Sequence, residues 1–287
     1  LDQMVRQASA RLIGPALGGF VVAAVGTGSA FLIDAGTFLF SAACIWALKV
    51  RSQPAPEADR SLRRELREGT RFVRDQAWLW STLIAASLAI LFFLGPLEVL
   101  LPYVVRNDLD AGPGSYGAIM AAAGVGAVVA SLALSQRGLP KKRYLTLMYI
   151  VWSVGTLPLA GYAIGTAVWQ LMAFAVLFGA CLTAGSVVWG TLMQARVPPE
   201  LRGRVHSLDW FVSIGLAPLS FALTGPVSSA IGVKATLIVA GVVPMVATAA
   251  LFFIARLRAD EERHPLVSEA PLADRVTDRA LAGDPSL

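Results

Sequence analysis

The sequence has little charge and few of the residues that build metal sites or disulfide frameworks. Its 287 residues include two histidines and two cysteines, and charged residues make up 15% of the chain. Cys44 and Cys181 both fall inside long apolar stretches, so we interpret them as packing residues rather than a disulfide. His206 and His264 do not have the spacing of a metal-binding pair, and no metal or other cofactor is expected. A typical soluble domain has about 25% charged residues, so an ordinary soluble protein is excluded.

The common catalytic motifs are also missing from the sequence. There is no Gly-x-x-x-x-Gly-Lys-Ser/Thr loop for phosphates, no Gly-x-Ser-x-Gly nucleophile turn and no acidic cluster for a metal. A membrane-embedded enzyme is therefore a remote alternative. The net charge of +5 would suggest nucleic acid as a partner of a soluble chain. Here the basic residues lie in loops between apolar stretches, and no nucleic-acid binding is expected.

Eight long apolar stretches dominate what is present. A helix needs about 20 mostly apolar residues to cross a bilayer core, and only helices or closed barrels satisfy their backbone hydrogen bonds in lipid. The stretches are continuous rather than alternating, which favours helices. They predict an all-α integral membrane protein with about eight transmembrane helices. The stretches lie at about 9–27, 29–48, 78–101, 115–135, 144–163, 167–191, 207–230 and 233–255.

The loops predict the topology. Lysine and arginine concentrate after the second, fourth, sixth and eighth stretches, whereas the intervening loops are nearly free of them. Short loops rich in lysine and arginine remain on the cytoplasmic side. We therefore expect a multi-pass protein of the cell (plasma or inner) membrane, surrounded by lipid, with both termini in the cytoplasm.

Two segments are more polar than the rest. The basic segment 49–76 turns helical in its second part, and we expect it to lie on the inner leaflet as an amphipathic helix; the alternative is a solvated linker. The tail 259–287 is charged and has no sustained periodicity, so we expect it to be disordered. The apolar stripe of the predicted helix consists of Leu62, Leu66, Gly69 and Val73.

Small residues predict close helix contacts in two stretches. In the first stretch, Gly14 and Gly18 form a small-xxx-small face beside Pro15, which removes a backbone donor and can bend the helix. In the fourth stretch, small residues recur at every fourth position, and such a face allows a neighbouring helix to approach closely. These residues are Ala118, Ala122, Gly126 and Ala130.

Several of these features resemble the major facilitator superfamily. Residues 14–19, Gly-Pro-Ala-Leu-Gly-Gly, follow Ala10-Arg11 and resemble the antiporter motif in the fifth helix of its exporters. Residues 30–39 resemble the sixth helix, and residues 197–205 are similar to the loop between helices ten and eleven. The glycines and proline of the motif are Gly14, Pro15, Gly18 and Gly19.

The resemblance implies a partial major facilitator fold, with helices five to twelve of a twelve-helix pattern. Residues 1–48 would supply the last two helices of the amino-terminal half, 49–76 the central loop, 77–258 the six-helix carboxy-terminal half, and 259–287 the tail. The first four helices are not represented, so we expect an amino-terminally truncated chain. The alternatives are a non-transporting product and a subunit whose bundle is completed by a partner chain.

The resemblance is strongest to drug and siderophore exporters, including enterobactin-exporter-like proteins. It implies proton-coupled efflux of amphiphilic drug-like or siderophore-like molecules by alternating access between two halves. The expected partners are therefore lipids, protons and a small amphiphilic substrate.

Carboxylates inside the apolar stretches are candidates for the transport pathway. Asp34 and Glu98 lie toward the outer ends of the second and third stretches. Ionisable groups are costly in a membrane and are functional candidates by default, and desolvation disfavours their charged form, which would suit a proton-coupled cycle. The alternative for each is an interfacial or structural role.

Arg11, Trp152 and Trp189 are further pathway candidates. Arg11 lies at the cytoplasmic mouth of the first stretch and either pairs with a carboxylate or extends to lipid phosphate. Trp152 and Trp189 lie deep in their stretches, unlike the other tryptophans, which lie near stretch ends as in an interfacial belt. They either line a cavity for an amphiphile or serve helix packing.

A cytoplasmic gate is predicted at the start of the seventh stretch. Asp209 lies just inside that stretch and could pair with Arg202 or Arg204 across the helix ends. Together with Gly203, these residues are the gate candidates, and the resemblance favours gating over substrate contact for them.

Overall fold

All regular structure in the described part of the chain is helical. The computed structural model describes residues 14–47, 62–140 and 142–266, and no strand occurs among them. This confirms the predicted all-α fold class. The helices are α1 (Gly14–Ala47), α2 (Leu62–Asp75), α3 (Ala77–Asp108), α4 (Pro113–Arg137), α5 (Tyr144–Ile164), α6 (Val168–Arg196), α7 (Pro199–Ile231), α8 (Val233–Ile254) and α9 (Leu257–Arg263).

Six of the described helices, α3 to α8, are long and apolar enough to cross a membrane. They contain 21 to 33 residues, and a helix rises 1.5 Å per residue, so each exceeds the roughly 30 Å of a bilayer core. They correspond one to one to the last six predicted stretches. The six helices pack against one another as one bundle, and their assignment to the carboxy-terminal half of a transporter stays a prediction.

Helix α1 differs from the prediction of two separate spans. It is one helix of 34 residues, about 50 Å long, and it runs through the turn expected near residues 26–29. Its side chains from Phe31 to Ala47 are exposed, and a Cβ on Gly28 would meet nothing within 4 Å. Because no described neighbour packs there to stabilise a turn, continuing the helical hydrogen bonds is the less costly arrangement.

The predicted small-residue face of α4 packs against α6. Ala122 and Gly126 are buried. A Cβ on Gly126 would lie 2.0 Å from the Val176 carbonyl oxygen, and one on Gly179 would lie 1.9 Å from the Ala123 carbonyl oxygen. The two backbones are therefore in direct contact, as the four-residue spacing predicts.

Helices α3 and α7 depart from regular α geometry where they cross. Helix α3 makes π-helical turns at Pro96–Leu100 and Val104–Asp108, and α7 turns at Leu216 between its two parts. The Gly95 N–H donates to Ser220 Oγ at 2.9 Å. A Cβ on Gly95 would lie 2.2 Å from Thr224 Oγ1, so only glycine allows this crossing.

Two apolar clusters close the ends of the bundle. We call the end that carries Arg196, Arg202 and Arg204 the basic end. Its cluster includes the fully buried Trp78, Tyr144, Met148, Leu192 and Val205. The cluster at the opposite end includes the fully buried Leu101, Ile119, Leu159, Leu171 and Leu237.

Helix α9 docks on the basic end, where the sequence predicts disorder from residue 259. Glu261 is 1% exposed and accepts hydrogen bonds from the backbone N–H of Thr146, at 3.0 Å, and from its hydroxyl. It thereby provides an acceptor for one of the free backbone N–H groups in the first turn of α5. The prediction of disorder is therefore wrong for residues 259–263, because apolar periodicity does not report these polar contacts. Residues 267–287 lie outside the described residues.

Helix α2 packs on the first part of α7. Gly69 is buried, and a Cβ there would lie 3.4 Å from Arg204 Cβ and Leu208 Cδ1. Beside it, Glu68 Oε2 lies 2.7 Å from Arg204 Nη1, and Val73 packs against the apolar cluster of the basic end. The sequence analysis expects the apolar stripe of this helix to contact the inner leaflet. In the structure, Gly69 and Val73 of that stripe contact protein instead.

Candidate transport cavity

A cavity of about 240 Å³ lies inside the six-helix bundle. Residues of α3, α5, α6, α7 and α8 line it, so every membrane-length helix except α4 contributes to its wall. On α3, the lining residues from Thr82 to Phe93 recur at intervals of three or four, which places them on one face of the helix. The cavity is thus built from aligned helix faces rather than from loops.

The cavity wall is mainly apolar and aromatic. Phe93, Trp152, Phe178 and Trp189 are its large rings, and hydroxyl groups supply most of the remaining polarity. An apolar wall with a few placed polar groups is typical of sites for small organic molecules. The hydroxyl-bearing lining residues are Thr82, Thr156, Ser213 and Thr248.

Asp209 is the one charged residue among those that line the cavity. Its Oδ2 accepts a hydrogen bond from Trp189 Nε1 at 3.1 Å, and its Oδ1 accepts one from Ser213 Oγ at 3.2 Å. The side chain is 14% exposed. Two donors from α6 and α7 therefore hold the carboxylate at the cavity wall.

Trp152 takes its position from a glycine on the next helix. A Cβ on Gly185 would lie 2.0 Å from Trp152 Nε1, so the indole of α5 lies directly on the α6 backbone. Any larger residue at 185 would displace the ring. Trp152 and Gly185 thus form one contact that shapes the wall between α5 and α6.

The structure brings together three of the residues predicted from the sequence: Trp152, Trp189 and Asp209. The arginine partners predicted for Asp209 are wrong. Arg204 binds Glu68, and Arg202 donates to the carbonyl oxygens of Gln194, at 2.6 Å, and Val197, at 3.0 Å.

The helix geometry explains why neither Arg202 nor Arg204 pairs with Asp209. Position 204 is about 140° around the helix from position 209, and position 202 is two turns, or about 10 Å, away along it. Gly203, another of the predicted gate residues, is exposed, and a Cβ there would meet nothing within 4 Å.

The other predicted site residues lie away from the cavity. Asp34 is exposed on α1, and Glu98 is exposed on the first π-helical turn of α3. Arg11 lies outside the described residues. The antiporter-like Gly14, Pro15, Gly18 and Gly19 belong to the helical backbone of α1. Their roles in transport stay predictions.

The family comparison agrees with this architecture. The transmembrane secretion effector family, a branch of the major facilitator superfamily, matches residues 4–282. The chain belongs to this family. It is a family of membrane transporters rather than of enzymes.

Curated relatives of this chain include named efflux pumps. It is 26% identical to the multidrug efflux pump Tap of Mycolicibacterium fortuitum over 86% of this chain and 60% of the relative. It is 30% identical to Tap of Mycobacterium tuberculosis (strain ATCC 25618 / H37Rv) over 83% of this chain and 56% of the relative. The chain is 27% identical to the transporter YfiS of Bacillus subtilis over 81% of this chain and 57% of the relative. The chain thus spans less than two thirds of these relatives. No solved structure matches it.

Sequence reasoning missed a second group of residues, which connects the cavity to the basic end. The Trp189 and Trp78 ring centroids are 5.8 Å apart, and the Arg196 guanidinium lies 4.8 Å from the Trp78 ring centroid. Arg196 also forms two hydrogen bonds, of 2.6 and 3.3 Å, with Asp260 on α9. Arginines are common at the ends of apolar stretches, so the sequence position of Arg196 did not indicate its contacts with Trp78 and Asp260.

Proposed function

We propose that this chain forms part of an exporter of amphiphilic small molecules and that the cavity holds the substrate. The observation that carries the proposal is the aromatic cavity with Asp209 as its single charged lining residue. The printed names of the Tap relatives, multidrug efflux pumps, support export rather than import. By the positive-inside rule, the basic end would face the cytoplasm.

The chemistry of the wall narrows the substrate class. Aromatic faces attract organic cations, and a carboxylate in a poorly solvated site attracts them further while it repels anions. Lipophilic cations are therefore favoured over anionic siderophore-like compounds. Asp209 is also the titratable group placed to bind a proton when the substrate leaves, which would couple proton entry to efflux.

The test compares two aspartates within apolar helices. We expect Asp209→Asn to weaken binding of tetraphenylphosphonium by at least about tenfold, or about 1.4 kcal/mol, because the cation loses its counter-charge. Binding is measured by titration calorimetry on the whole chain in lipid nanodiscs.

The matched control is Asp34→Asn on the exposed face of α1, which should keep wild-type affinity. Weaker binding in Asp34→Asn with unchanged binding in Asp209→Asn would contradict the proposed site and support the pathway role predicted for Asp34. Weak, equal binding in all three proteins would contradict the proposed function itself.

A further inference from the structure

His206 lies between the aqueous basic end and the cavity carboxylate. Its side chain is 62% exposed, whereas that of Asp209, one turn further along α7, is 14% exposed. His206 Nδ1 lies 4.0 Å from Asp209 Oδ2. The pair therefore joins an exposed titratable group to one that faces the cavity.

Trp210 determines which nitrogen of His206 carries the proton. Trp210 Nε1 lies 3.1 Å from His206 Nε2. An indole N–H can only donate, so Nε2 of the neutral imidazole must accept. The proton of the neutral ring is consequently on Nδ1, the nitrogen that faces Asp209. The tautomer thus follows from the contact itself.

Other charged groups around this part of α7 are engaged elsewhere within the described chain. Helix α2 presents Glu68, which binds Arg204, and Arg202 donates to carbonyl oxygens near the end of α6. Helix α6 presents the Trp189 indole to Asp209, and α3 presents the Ser87 hydroxyl to the Val212 carbonyl oxygen. His206 is therefore the titratable group placed to exchange with Asp209.

From this geometry we infer that His206 relays protons between water at the basic end and Asp209. The inference rests on the proposed function and identifies the residue through which Asp209 would exchange its proton. A proton from water adds to Nε2 and displaces the Trp210 N–H, and the imidazolium then passes its Nδ1 proton to Asp209 Oδ2. The products are a neutral imidazole protonated on Nε2 and a neutral carboxyl group. The reverse sequence returns the proton to water. The 4.0 Å separation must shorten by roughly 1 Å for the transfer.

The first test determines the tautomer of His206 without any ligand. The chain has only two histidines, so His264→Gln leaves His206 as the single imidazole for ¹⁵N NMR in nanodiscs. We expect the neutral ring to be protonated on Nδ1, because Nε2 accepts the Trp210 N–H. A ring protonated on Nε2 would overturn the relay.

The second test measures proton exchange itself. Tetraphenylphosphonium is mixed with the protein in weak buffer, and proton release is followed with a pH-sensitive dye. We expect His206→Gln to slow release by roughly 10²-fold, within the usual range for a lost proton-transfer group, with little change in Kd. Glutamine keeps an acceptor for Trp210 but cannot titrate. His264→Gln should release protons at the wild-type rate, and a wild-type rate in His206→Gln would overturn the relay.

The tests separate this inference from the proposed function. Failure of the wild-type protein to bind the cation would count against the function. Wild-type binding combined with unslowed proton release in His206→Gln would count against the relay alone.

Discussion

Gly179→Ala is expected to separate α4 from α6 and to destabilise the bundle by about 3 kcal/mol or more, the upper end of the usual cost of overpacking. The added Cβ would lie 1.9 Å from the Ala123 carbonyl oxygen. Both sides of this contact are backbone, so no rotamer change relieves the clash. The measurement is thermal unfolding of the purified protein, followed by the loss of its monodisperse peak in size-exclusion chromatography.

Gly117→Ala is the matched control for this prediction. Gly117 also belongs to a membrane-length helix, α4, but a Cβ there would meet nothing within 4 Å. Alanine is favoured over glycine in a helix by up to about 1 kcal/mol, so this variant should be as stable as the wild type or slightly more stable. Equal melting of the two variants would show that α4 and α6 are not in backbone contact.

Glu261→Ala is expected to lower the free energy of unfolding by about 1.5–3 kcal/mol, the range for hydrogen bonds to a charged group. The substitution leaves the partly buried Thr146 N–H at the start of α5 without its acceptor and removes one of the contacts that hold α9 to the bundle. We expect lower thermal stability together with faster proteolytic removal of the carboxy-terminal residues.

The neighbouring Glu262 provides the control. It is exposed and forms an i,i+4 pair of 3.5 Å with Arg258, and such surface pairs contribute about 0.3–0.5 kcal/mol. Glu262→Ala should therefore melt close to the wild type. If the two variants lost the same stability, the docking of α9 through Glu261 would be wrong.

The membrane-length helices were predictable because lipid offers no hydrogen-bond partners to the backbone, which restricts the structures that can cross it. A long apolar stretch must satisfy its own hydrogen bonds, and this rule places α3 to α8 to within a few residues in most cases. The rule does not locate turns such as that expected near residues 26–29, which depend on neighbouring helices. It also misses α9, whose docking depends on polar contacts from Asp260 and Glu261.

The sequence predicted individual residues of the cavity but not that they line one cavity. Trp152, Trp189 and Asp209 are conspicuous as a deep aromatic pair and a carboxylate near an apolar stretch, but sequence spacing does not show that they meet. Their contacts depend on the rotation of each helix about its axis, which packing determines. Thr82, Thr156 and Thr248 gave no signal at all, since threonine is common in helices that do not line a cavity.

Photolabelling tests the central claim, that the cavity inside the six-helix bundle binds an amphiphilic cation, most directly. An aryl-azide derivative of tetraphenylphosphonium would be crosslinked to the whole chain in nanodiscs, and the labelled peptides mapped by mass spectrometry. We predict labels between Thr82 and Phe93, around Trp152, and between Phe178 and Trp189, all reduced by excess unlabelled cation and by Asp209→Asn. Labels confined to the exposed face of α1, or labels insensitive to competition, would contradict the account.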